Sequence, residues 1–140
     1  MTLAIAEILG VRNAPPADSW DYWIARSREG LEKQALKRLL TRLDVSMTEF
    51  SHLLPVSERT LQRYPDDKIL NRDLSGHIVA IAKVFVRAAE VFDNQDKARR
   101  WLHKPCRALG GEVPLSLLDT PLGIQTVENE LSRIEFGVYA

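Results

Sequence analysis

Apolar residues recur along this chain at three- and four-residue intervals, the period of helices rather than strands. Residues 2–10 place Leu3, Ile5, Ala6, Ile8 and Leu9 on a short helix that Gly10 ends. Asn13-Ala14-Pro15-Pro16 reads as a connector, because Pro15 lacks an N–H donor and biases Ala14 away from helix. The aromatic-rich segment with Trp20, Tyr22, Trp23 and Ile24 reads as a packing anchor. From Glu29 an amphipathic helix carries Leu31, Ala35, Leu36, Leu39 and Leu43 on one face, with Lys33, Lys37, Arg38 and Arg42 outside it. Spacing then predicts a short helix over 48–54 broken at Pro55, another over 57–63 stopping before Pro65, and a polar loop over 65–72. A longer helix begins near Leu74 and presents Ile78, Ile81, Ala82, Phe85, Ala88, Ala89 and Phe92 at core positions.

Asp93-Asn94-Gln95-Asp96 is a polar break, and a module boundary is expected there. Beyond it follow a short helix through Trp101 and Leu102, a loop over 105–114 turning at Gly110-Gly111, and a helix around 115–118. The last helix runs from about Pro121 to Ile134 with Ile124, Val127 and Leu131 along it. Hairpin turns of the Asn-Gly or Asp-Gly type and alternating segments do not occur, so the expected fold class is all-α.

Charge changes the picture in one respect. Nineteen basic and nineteen acidic residues cancel, so any contact with nucleic acid must come from a local patch. The single cysteine, Cys106, excludes an internal disulfide and suits a reducing compartment. Residues 1–9 have no basic leader region and no apolar run reaches membrane-spanning length, which points to the cytoplasm and away from membranes.

The strongest local signal lies between Thr48 and Arg63. Two short helices separated by a tight turn over 54–56 form a helix-turn-helix, with Ser57 able to cap the second helix and Val56 and Leu61 packing inward. Glu58, Arg59, Gln62 and Arg63 then share an outward face. That suits a recognition helix: Arg59, Gln62 and Arg63 toward base edges of the major groove, Ser57 and Thr60 near phosphates. The same spacing also fits a solvated face of a small helical bundle.

In the last third, the ordered residues Trp101-Leu102, Pro105, Ala108-Leu109-Gly110-Gly111, Pro114-Leu115, Leu117-Leu118, Thr120, Gly123, Val127, Leu131 and Arg133-Ile134-Glu135-x-Gly137-Val138-Tyr139-Ala140 resemble the toxin-binding domain of the Xre–MbcA–ParS antitoxins. The resemblance is close over 93–140, and the preceding helix-turn-helix has the Xre-like layout, so 29–140 is covered. Two positions depart from it: Tyr64-Pro65-Asp66-Asp67 stands where basic residues are expected, and Cys106 where the family usually carries Asn. The implied organisation is an N-terminal extension (1–28), a helix-turn-helix DNA-binding module (29–92) and a C-terminal toxin-binding module (93–140). The implied function is an antitoxin that neutralises a RES-domain toxin, an enzyme that attacks NAD by degrading it or by transferring ADP-ribose. It would occlude the toxin's active site, act as a homodimer within a larger toxin–antitoxin complex, and repress its own operon by binding operator DNA. The residues expected at the toxin are Leu131, Arg133, Ile134, Glu135, Gly137, Val138, Tyr139 and Ala140. Gly137 can leave the helix with positive φ, letting an aromatic ring and a terminal carboxylate extend into a NAD pocket; alternatively Phe136, Val138 and Tyr139 fold back onto the chain's own core.

Other chemistry is thinner. His103-x-x-Cys106 supplies two ligands where a structural zinc site takes four, Gly110-Gly111 follows no strand and reads as a turn, and the paired carboxylates have no nucleophile beside them. No catalytic residue, metal site or cofactor is expected, and the chain itself is not expected to be an enzyme. Two other readings stay open on the residues alone: a stand-alone repressor whose C-terminal module dimerises, and an interaction module that has lost DNA binding.

Overall fold

The computed structural model describes residues 3–15 and 18–137, and among them the secondary structure is helical apart from one antiparallel bridge between Glu32 and Ile69. The helices are α1 (Ile5–Leu9), α2 (Trp20–Glu29), α3 (Lys33–Leu43), α4 (Met47–Ser51), α5 (Glu58–Arg63), α6 (Arg72–Phe92), α7 (Gln95–Leu102) and α8 (Pro121–Glu135). Two 3-10 turns, Arg107–Leu109 and Pro114–Leu117, lie between α7 and α8. The all-α expectation holds. The chain divides into two compact units, Met1–Ala82 and Lys83–Ala140, and the division falls inside α6.

In the first unit, α1 packs on α3 and ends at Gly10 in the left-handed conformation, as its sequence predicts. The Asp18 carboxylate accepts the Ile5 N–H from both oxygens at 3.1 Å and so fastens the start of α1. The aromatic segment is a helix of its own, and only Trp23 of it is buried; Trp20 is 78% exposed and Ile24 44%, so the expected anchor reduces to one ring. The amphipathic helix therefore begins at Lys33, not Glu29. Gly30 separates it from α2 at φ 100°, where a Cβ would stand 2.5 Å from the Leu70 carbonyl oxygen.

That carbonyl belongs to the connection over 65–72, expected as a polar loop and in fact hydrogen-bonded to the start of α3. The Leu70 N–H donates to the Leu31 carbonyl at 2.8 Å, while the first N–H groups of α3, on Lys33 and Gln34, donate to the Lys68 and Asp66 carbonyls at 2.9 Å each. Ser75, fully buried, accepts the Leu31 N–H at 2.9 Å and donates to the Leu70 carbonyl at 3.1 Å. Lys33 corrects its expected place outside the core: it is buried, and its ammonium donates to the Tyr64 carbonyl at 2.8 Å. Leu31, Leu36, Leu39, Leu43, Phe50 and Leu61 fill the interior at 0–1% exposure, each contributing about 1.5–3 kcal/mol by leaving water.

Helix α4 starts one residue earlier than expected because Ser46 caps it, accepting the Glu49 N–H at 3.1 Å; it ends at Ser51, and Leu53 and Leu54 are buried in the turn that follows. Asn71 likewise sets α6 at Arg72 by accepting the Leu74 N–H at 2.8 Å. In the second unit Asn94 caps α7 and Thr120 caps α8. The expected helix around 115–118 is the 3-10 turn Pro114–Leu117, against which α8 packs. Gly123 makes that approach possible, since a Cβ there would collide with the Leu117 carbonyl. Gly110 and Gly111, at φ 70° and 84°, form the expected turn, closed where the Cys106 carbonyl accepts the Gly111 N–H at 2.9 Å.

Candidate functional site

Helix α5 is six residues long and is held by its ends and one side chain. Ser57 accepts the Thr60 N–H at 3.1 Å and donates its hydroxyl to Thr60 Oγ1 at 2.8 Å, so both hydroxyls expected near phosphates begin in a mutual contact. Leu61, fully buried, fixes the helix rotation, and that rotation leaves Arg59, Gln62 and Arg63 exposed. Glu58 is half-buried and organises the junction: it accepts Thr48 Oγ1 from α4 at 2.7 Å and Gln62 Nε2 at 2.9 Å. Gln62 is thus oriented by Glu58, whereas the guanidinium groups of Arg59 and Arg63 have no ion pair or hydrogen bond among the described residues. The acidic run after α5 is partly neutralised from within. Asp66 accepts from Lys37 Nζ at 3.0 Å, and Lys68 lies 5.2 Å from the Tyr64 ring centroid.

The second candidate surface is the end of α8. Val127 and Leu131 are fully buried in their own unit, so Leu131, expected at the partner, instead holds the helix in place. Ile134 is half-buried. Glu130, with its side chain 8% exposed, accepts Arg133 Nε at 2.8 Å and Nη2 at 2.7 Å; this fork raises the Arg133 pKa, first through the hydrogen bond and then through the charge. Glu135 accepts Arg87 Nη1 at 2.8 Å and Nη2 at 2.7 Å, and Nη2 also donates to Ser132 Oγ at 3.3 Å. The hydrogen-bonded Arg87 guanidinium holds Glu135 below the usual carboxylate range, and Glu135 raises Arg87 in return. Both charged residues expected to meet a partner are therefore engaged inside their own unit, Arg133 with half its side-chain surface still in solvent. Just beyond, Phe136 is 74% exposed and Gly137 takes φ 56°. Val138, Tyr139 and Ala140 lie outside the described residues.

Sequence reasoning missed two of these groups as partners, Glu130 and Arg87. Glu130 sits at i, i+3 from Arg133, a spacing that pairs charges on one helix face and is itself a sequence signal. Arg87 lies 48 residues from Glu135, and no sequence signal joins them. The exposed rings and chains, Trp20, Leu122 (77%) and Phe136, become visible only once burial is known.

Comparison with known proteins bears on both surfaces. Residues 23–83, which contain α3 to α5, match the antitoxin Xre-like helix-turn-helix domain, and residues 87–137, which contain α7 and α8, match the antitoxin Xre/MbcA/ParS C-terminal toxin-binding domain. An antitoxin Xre of Photorhabdus laumondii is 39% identical over 67 residues, 47% of this chain and 45% of that protein, so the chain spans less than half of that relative. An antitoxin Xre of Pseudomonas putida is 32% identical over 113 residues, 80% of this chain and 70% of that protein. A Prs ADP-ribosylating antitoxin of Sphingobium sp. is 26% identical over 123 residues, covering 81% and 77%. With two domain matches along one chain and a relative 32% identical aligned over most of both chains, this chain belongs to the Xre/MbcA/ParS antitoxin family, helix-turn-helix included.

Proposed function

We propose that this antitoxin neutralises a RES-domain toxin, an NAD-consuming enzyme, by lodging the segment that follows α8 in the toxin's active site. We propose further that a homodimer represses its own operon in the cytoplasm by placing α5 in the major groove of operator DNA. The two jobs would divide between the helix-turn-helix module and a C-terminal module that takes in Arg87 and the rest of the end of α6. The NAD chemistry would belong to the partner, with no catalytic group, cofactor or metal supplied by this chain.

The observation that carries the first part is the way α8 ends. Arg87 clamps Glu135 with two short hydrogen bonds, and within two residues the backbone turns at Gly137 with the Phe136 ring in solvent. A helix end pinned by a paired guanidinium and followed at once by a left-handed glycine gives the next residues a fixed point of departure. A pocket shaped for NAD offers apolar walls for rings, which Tyr139 can occupy. Because Glu135 is already paired, its part is to anchor the departing segment rather than to enter the pocket. The name of the Sphingobium relative couples an antitoxin to ADP-ribosylation, which fits an NAD-consuming partner.

Deleting residues 137–140 tests this reading. The truncated chain should keep its helical circular dichroism and its DNA binding, while the co-expressed toxin regains NAD consumption. Full silencing by the truncated chain would place inhibition in the helices instead.

A further inference from the structure

Residues of the N-terminal extension and of the start of α3 line a cationic cleft that includes no residue of α5 or α8. It is about 300 Å³ in volume, and its floor includes Leu9 and Leu31, 1% and 0% exposed. Its charged lining is Arg12, Arg26 and Arg38 against a single acid, Glu32, with the half-buried Gln34 amide between them. We propose that this cleft binds one phosphate group, as a monoester or diester, with Arg12 and Arg38 as its principal ligands and Arg26 behind them.

Three features support a site for phosphate. Arg26 is pinned: its Nη1 donates to the Gly30 carbonyl at 2.7 Å, and its nearest acid, Glu29, stands 4.0 Å away on a side chain 73% exposed. The rest of its planar fork and its charge remain largely uncompensated, on a side chain only 27% exposed. Arg38 lies directly against Gly10, where a Cβ would collide with its side chain, so the cap of α1 makes room for the guanidinium. Neither Arg12 nor Arg38 has an ion pair or hydrogen bond among the described residues. Guanidinium groups lining one cleft over an apolar floor favour a phosphate anion, since planar forks match phosphate oxygens and the low-dielectric floor strengthens the attraction.

The neighbouring surface limits the ligand's size. A second groove of about 430 Å³ continues along α3 and shares Gln34 and Arg38 with the cleft. Its other cations are already matched, Lys37 by Asp66 at 3.0 Å and Arg42 by Glu7 at 3.7 Å. Excess positive charge is therefore concentrated at one point rather than along a track. The phosphate comes either from a nucleic-acid backbone or from a free phosphorylated small molecule.

The test uses the full chain and the double variant R12Q/R38Q, with R28Q, an exposed arginine of α2 outside the cleft, as the charge control. Circular dichroism verifies that each folds. Titration with inorganic phosphate, followed through arginine side-chain resonances, should show binding that R12Q/R38Q weakens by about tenfold or more and R28Q leaves unchanged. Binding of a random-sequence duplex across a salt series then identifies the source. A salt slope reduced by about 2 in R12Q/R38Q assigns the site to the nucleic-acid backbone. An unchanged slope with lost phosphate binding assigns it to a free ligand. If R12Q/R38Q matches the wild type in both measurements, the cleft is not a phosphate site. Arg59 and Arg63 are untouched in these variants, so that outcome leaves the α5 assignment standing.

Discussion

Arg59 and Arg63 are cations that the fold leaves without an internal acid, while Lys37, Arg87 and Arg133 are each paired within their own unit. In a chain of zero net charge any contact with DNA must come from a local patch, and Arg59 and Arg63 are the two cations on the exposed face of α5. Replacing Arg59 by Ala should cost about 1–3 kcal/mol of operator affinity if it reads a base, measured by fluorescence anisotropy at fixed salt. Operator affinity unchanged in the Arg59→Ala, Arg63→Ala double variant would remove α5 from the interface. Glu135 gives a prediction of a different kind. Its pKa is lowered in the folded chain by the Arg87 hydrogen bonds, so its stabilising contribution is fully present above the ordinary carboxylate range. That contribution fades as pH falls through the lowered value. Wild-type thermal stability should therefore exceed that of Glu135→Gln at neutral pH, and the gap should close on acidification below that range. A gap independent of pH would mean that the fork does not hold α8.

At the scale of elements, α5 owes its existence to its cap, because six residues are too few to form a stable helix from propensity alone. Ser57→Ala removes the acceptor for the Thr60 N–H and should cost about 1 kcal/mol, read as a shift in urea midpoint with unchanged m-value. This cap was legible in the sequence, as were the prolines bounding the helix-turn-helix and the inward faces of α3 and α6, since each rests on residues within one turn of each other. The Ser46-x-x-Glu49 box that opens α4 is equally local, and it starts the helix one residue before the expected 48. What could not be read was non-local. The split between α2 and α3 depends on Gly30 meeting the Leu70 carbonyl forty residues on, and the burial of Lys33 on a carbonyl at Tyr64. The exposure of Trp20 follows from which α2 face meets the core, a choice that a segment with aromatic residues on several sides does not announce. The candidate partner surface was legible as a stretch of chain, but not as a set of pairings: Arg87 and Glu135 find each other only in the folded unit.

At the scale of the whole molecule, the proposed homodimer on half-sites about one turn (~34 Å) apart would let two modest basic patches act together. What each unit does as a block is decided by contacts such as those that start α3. The first N–H groups of a helix ordinarily face solvent, and their hydrogens exchange quickly by local fraying. Here those of Lys33 and Gln34 are held by the Lys68 and Asp66 carbonyls, and the Leu31 N–H by the buried Ser75 hydroxyl. Releasing them requires the connection after α5 to detach from the front of α3. In native-state hydrogen–deuterium exchange, these three amides should be as protected as those in the middle of α6, while the Glu58 and Arg59 amides, in the exposed first turn of α5, exchange many-fold faster. Fast exchange at Lys33 and Gln34 would show that the connection opens on its own. Slow exchange would mean that α5 can breathe while the scaffold beneath it stays closed, so the helix proposed to meet DNA could adjust its fit without unfolding the unit that presents it.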